Sequence, residues 1–154
     1  MNRKISAYIS LGLCILFSVL LLVWLFAFPQ FFEWFYVVYH KLNADAPYIA
    51  HAVKTVVASF YVCAPFAAAA LYLLIRLLLN VIKDNTFAAV NVTYLRFVSW
   101  CCYAVALITG IASLYYMPLV LITAGMAVVG TLLRVVKNLM QSAVEIKEEN
   151  DLTV

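Results

Sequence analysis

The chain has 154 residues, 68% of them hydrophobic and 11% charged, with a mean hydropathy of +1.04 and a formal net charge of +3. A water-soluble domain carries about 25% charged residues, so this composition excludes one. So small and scattered a positive charge also excludes a nucleic-acid surface. One integral membrane domain over residues 1–154 is expected, with lipid as its solvent.

Met1 to Lys4 is a basic head, and Ile5 to Phe28 follows it without a charged residue. This run exceeds the roughly 7–15 residues of a signal-peptide core, and at about 1.5 Å per residue it crosses a ~30 Å hydrocarbon layer. Pro29 is expected to close it. Phe31 to Tyr48 then reads as a polar-aromatic connection. Phe31, Phe32, Phe35, Val38, Tyr39 and Leu42 share one helical face, and Glu33, His40 and Lys41 lie off it. Such a segment suits the headgroup layer, and Asn43 to Pro47 is a turn signal that ends it.

Val53 to Ile82 is the second span. Lys54 and Arg76 near its ends can snorkel, and Pro65 is tolerated if neighbours satisfy the carbonyl it frees. Ser59, Cys63 and Ala67 form a small-residue row that lets helices approach, as do Ala64 and Ala68. Lys83 to Arg96 is polar enough to leave the membrane. Asp84 or Asn85 is expected to cap a helix there, with Phe87, Val90, Tyr94 and Val98 on one face. Phe97 to Tyr116 is the third span, with Cys102, Ala106 and Gly110 as a further small-residue row. Met117-Pro118 allows only a tight turn, so the fourth span, about 118–138, lies antiparallel to the third.

From Leu132 to Val154 no Pro or Gly intervenes, so one helix is predicted to carry the chain out of the bilayer into water. Val129, Leu132, Val136, Leu139, Ala143 and Ile146 alternate three- and four-residue steps, a seam of coiled-coil type. The predicted fold class is therefore an all-α membrane protein, a bundle of four transmembrane helices (spans about 5–28, 53–82, 97–116 and 118–138). The fourth helix extends into the cytoplasm as a tail over 139–154. If the N-terminus is cytoplasmic, Arg3, Lys4, Arg76, Lys83, Arg96, Arg134, Lys137 and Lys147 face inward and only Lys41 and Lys54 outward. The positive-inside rule thus puts both termini in the cytoplasm.

Phe87, Asn91-Val92 and Leu95-Arg96 leading into a span, together with the tail from Ala143 to Val154, give the chain a resemblance. It resembles domain-of-unknown-function family 2975, small bacterial membrane proteins with four spans. The resemblance implies a multi-pass protein of the bacterial cell membrane with no established activity. By gene association it also implies a cytoplasmic helix-turn-helix transcription regulator as partner. It carries over no catalytic residue.

The four cysteines, Cys14, Cys63, Cys101 and Cys102, lie in apolar runs without metal-ligand spacing and read as buried thiols. No Asp or Glu lies within a span, no Ser or Thr there has a nearby His, and no Gly-rich phosphate loop occurs. No catalytic constellation, cofactor site or metal site is therefore assigned. Two surfaces stand as candidates. The first is a docking strip on the tail, formed by Leu139, Ala143, Glu145, Ile146, Glu148, Glu149 and Leu152; its bland counterpart is a solvated helix end. The second is an outer pocket for a small molecule, lipid or peptide. Glu33, Trp34, Phe35, Tyr39, His40, His51 and Lys54 form it, with an aromatic belt as the bland reading. His40 and His51 could ligate a metal or haem, but they stand apart across a proline turn and outside any zinc motif.

The role that follows is regulatory or interaction-based, through a cytoplasmic partner. The alternative is a transporter-like or immunity protein that uses the outer aromatic segment. Partners expected on this reading are membrane lipids, the regulator and a second copy of the chain, with no direct contact to nucleic acid. A reporter active only in the cytoplasm should work when fused after Val154 and be silent when inserted at Asn43; the reverse pattern would contradict the charge argument.

Overall fold

The computed structural model describes residues 3–40, 46–83 and 88–152, with side chains over 5–34, 38, 51, 53–83 and 88–150. Four helices account for these residues: α1 (Arg3–His40), α2 (Ala46–Ile82), α3 (Ala89–Ala112) and α4 (Leu119–Leu152). Each is long and apolar enough to cross a bilayer. The protein is an all-α, four-span membrane protein. The helices pack in chain order, α1 on α2, α2 on α3 and α3 on α4. Among the described residues no other helix pair comes within packing range. α3 buries close to half of its most apolar stretch and α1 none of its own, so the centre of the array lies along α3.

The α3–α4 contact has a strict pattern. Leu95, Val98, Cys102, Val105, Thr109 and Ala112 are buried on α3 at alternating three- and four-residue steps. Leu119, Gly130 and Val144, buried on α4, keep the same phase, with half-buried Thr123 and Lys137 between them. A Cβ added at Gly130 would meet Cys102 Cβ and Tyr103 Cε1, each at 3.3 Å. Absence of that atom lets the backbones approach, and the buried Ser99 hydroxyl donates to Gly130 O at 2.9 Å. One end of the seam is fixed by Thr123 Oγ1, which donates to Thr109 Oγ1 at 3.0 Å. Thr109 in turn donates to Val105 O at 2.8 Å. The small-residue row Cys102, Ala106 and Gly110 does face α4: Cys102 and Ala106 are buried, and a Cβ added at Gly110 would meet Thr123 Cγ2 at 3.4 Å.

The seam expected on α4 is in a different phase. Val129, Leu132, Val136, Leu139 and Ile146 are exposed, and the buried face runs beside them through Gly130 and Val144. In lipid, apolar side chains do not need a protein partner, so small and hydroxylic residues mark the contact face instead. The face expected at the start of α3 shifts for the same reason. Val90 is exposed, while Asn91 and Leu95 are buried with Val98, and Phe87 lies outside the described residues. Asn91, fully buried, accepts from Asn80 Nδ2 at 2.8 Å and ties α2 to α3 near the loop that joins them.

Helix ends also differ from the expected spans. The N-cap of α3 is Ala88, extended at φ −95 and ψ 137 with no side-chain cap, and residues 84–87, which include Asp84 and Asn85, lie outside the described ones. α3 stops at Ala112, and residues 113–118 form turns before α4 begins.

α1 continues through Pro29 to His40 instead of closing there. Pro29 has no N–H, so the carbonyl four residues before it, that of Leu25, loses its helical donor. Tyr61 on α2 supplies the replacement: its hydroxyl donates to Leu25 O at 2.9 Å. Phe28 stacks on Phe60 beside it, with ring centroids 4.1 Å apart. Tyr61→Phe should therefore destabilise the protein by about 1–3 kcal/mol, because a carbonyl in an apolar helix loses the donor that replaces its missing N–H. The same change in a Pro29→Ala background should cost much less, since the backbone N–H returns. Thermal unfolding of the four proteins in detergent measures the cycle, and equal losses in both backgrounds would disprove the coupling.

Candidate functional site

Both candidate surfaces lie at the ends of the array. The tail is the C-terminal part of α4, an uninterrupted helix because strong helix formers follow Gly130 with no breaker. Leu139 is 67% exposed and Ile146 59% exposed. They stand seven residues apart, two turns, on one face with half-buried Ala143 between them. Glu145, Glu148 and Glu149 are exposed beside that face. Gln141 Nε2 donates to Glu145 Oε1 at 3.1 Å one turn away. Ala143, Ile146, Lys147 and Asn150 line a shallow concavity of about 360 Å³. The structure thus brings Leu139, Ala143 and Ile146 onto one face with Glu145, Glu148 and Glu149 beside it; the side chain of Leu152 lies outside the described residues. Val144 is buried, so packing continues into the tail.

At the opposite end the rings engage one another. Phe28 stacks on Phe60 and on Phe32, Phe32 meets Tyr116 edge to face at 6.1 Å, and Trp24 meets Phe31 at 5.6 Å. Val56, Ala112 and Leu119 form the apolar cluster on which Phe28, Phe32 and Tyr116 pack. Of the outer-pocket residues, Glu33, Trp34, His51 and Lys54 are exposed. Phe35, Tyr39 and His40 fall on the last turns of α1, with side chains outside the described residues. Among the described residues no group of three His, Cys, Asp or Glu is placed to hold a metal ion.

A family model for a protein of unknown function, DUF2975, matches residues 36–154. The chain belongs to the DUF2975 family. The match takes in α2, α3, α4 and the last turns of α1, and leaves out most of the helix that packs on α2 alone. No curated protein and no solved structure matches the chain.

A third group on this DUF2975 chain went unrecognised in the sequence. Arg96, Trp100, Arg134, Lys137 and Asn138 line one cleft of about 430 Å³ between α3 and α4. Arg134 and Lys137 read singly as snorkelling cations that lengthen a short span. The available signal was their placement: Arg96 with Trp100, and Arg134 with Asn138, each one turn apart on two helices already known to be antiparallel.

Proposed function

We propose that the protein is a membrane-anchored docking protein whose α4 tail holds a cytoplasmic partner. The helix-turn-helix regulator implied by the family resemblance is the candidate for that partner. The observation that carries this reading is the exposure of Leu139 and Ile146 on one face of a helix that has left the apolar stretch. Leu139 and Ile146 are exposed while Val144, on another side of the same helix, is buried. Apolar rows in water mark contacts, and the flanking Glu145, Glu148 and Glu149 suit a partner with basic edges. The outer aromatic end supports a ligand-handling role less well, since Phe28, Phe32, Phe60 and Tyr116 pack against each other.

Deleting residues 145–154 spares buried Val144 and every span, so insertion and thermal stability should be retained while the partner is lost. Reversing Glu145, Glu148 and Glu149 to Lys should weaken the contact, and raising salt should weaken it in the unaltered protein. Co-purification from native membranes, with cytoplasmic proteins quantified for the full-length and shortened chains, measures this. Equal recovery of the same proteins would disprove docking through the tail.

A further inference from the structure

The cleft of Arg96, Trp100, Arg134, Lys137 and Asn138 collects three cations from two antiparallel helices. Gathering like charges is unfavourable unless water or an anion offsets it. Among the described residues none of the three is ion-paired with a carboxylate. Arg134 lies instead over two rings, its guanidinium carbon 4.9 Å from the Trp100 centroid and 5.4 Å from that of Tyr103. Such stacking fixes the guanidinium plane and leaves its charge uncancelled. The nearest acidic residue on α4, Glu145, begins two turns beyond Lys137, about 12 Å along the axis.

Depth decides which anion the cleft meets. α4 begins at Leu119, directly after the turn at 113–118, and we place its entry into the membrane there. Arg134 is then about 22 Å and Lys137 about 27 Å along the helix axis. A hydrocarbon layer of ~30 Å leaves their Cα atoms about 8 and 3 Å short of its far face, close enough for long side chains to bring the cleft they share with Arg96 to the headgroup level, where Trp residues are also at home. Toward the bilayer centre the α3 wall of the cleft continues from Arg96 and Trp100 through Tyr103 to Leu107. These four residues share a face, and Leu107 is 68% exposed.

We propose that this cleft binds the phosphate of an anionic phospholipid. Arg134 is held ready by the two rings, Arg96 and Lys137 neutralise the charge, Asn138 donates from its amide, and the acyl chain lies along Tyr103 and Leu107. Basic clefts between helices at the headgroup level are suited to this chemistry, and a planar guanidinium matches two phosphate oxygens at once. The proposal stands independently of the docking role of the tail.

Trp100 is itself the reporter. In the full chain carrying Trp24→Phe and Trp34→Phe, placed in phosphatidylcholine bilayers, brominated phosphatidylglycerol should quench Trp100 at a roughly fivefold lower mole fraction than brominated phosphatidylcholine does. R96Q/K137Q, which leaves Arg134 on its rings, should bring that ratio close to one, while Lys147→Gln should leave it unchanged. Native mass spectrometry of the unaltered chain, comparing adducts of the two lipids, makes the same comparison without a variant. Absence of any preference in the unaltered chain would overturn the proposal, as would a preference that survives R96Q/K137Q. Loss of the preference in excess inorganic phosphate, but not in chloride of equal ionic strength, would show that the cleft takes free phosphate and would overturn the lipid assignment.

Discussion

The close approach of α3 and α4 at Gly130 is the constraint on which the rest of the structure depends. Burial of apolar surface cannot drive helices together in a solvent as apolar as they are. What remains is contact between backbones and hydrogen bonds that lipid cannot replace. Gly130 supplies the first by having no Cβ to collide with Cys102 and Tyr103. Ser99 supplies the second by donating to Gly130 O. The Thr109–Thr123 pair sets the same register nearer the turn at 113–118. With that register fixed, Arg134 falls over Trp100 and Tyr103, Lys137 enters the cleft beside Arg96, and Val144 remains buried beyond the span. Both surfaces given a role here are thus consequences of one seam.

Serial packing gives the helices unequal parts. α3 is held from both sides, by α2 through Asn80 and Asn91 and by α4 along its length. α1 comes within backbone packing range of α2 alone among the helices, held by the Tyr61–Leu25 hydrogen bond and the Phe28–Phe60 stack, while at one end Phe28 and Phe32 reach the cluster of Val56, Ala112 and Leu119 and Phe32 meets Tyr116. Many of its other apolar side chains are exposed. That suits a helix of high hydropathy with few small residues to bring another backbone close.

Much of this was legible in the sequence. Length and hydropathy revealed four crossings, and the absence of Pro and Gly after Gly130 revealed that α4 continues into a tail. The row of Cys102, Ala106 and Gly110 marked the face of α3 that meets α4. The seam on α4 was misplaced because Val129, Leu132 and Val136 make an apolar pattern, and apolarity does not distinguish a lipid-facing from a protein-facing side. Gly130 and Thr123, which lie on the true seam, are marked by size and hydrogen bonding. Pro29 looked like a helix end because its missing donor could be replaced only by Tyr61, a residue on another helix. The basic cleft was hidden for a related reason: each cation has an ordinary explanation alone, and only the α3–α4 register brings the three together.

The seam can be tested most directly by its register. In a chain without native cysteines, T109C/T123C should form a disulfide rapidly under mild oxidation in the membrane, because the two hydroxyl oxygens they replace lie 3.0 Å apart. T109C/A127C, displaced by one turn, should remain largely reduced. Rapid cross-linking of the displaced pair, with the Thr109–Thr123 pair unreactive, would show that α3 and α4 meet in another register, and the cleft and tail surface built on this one would not stand.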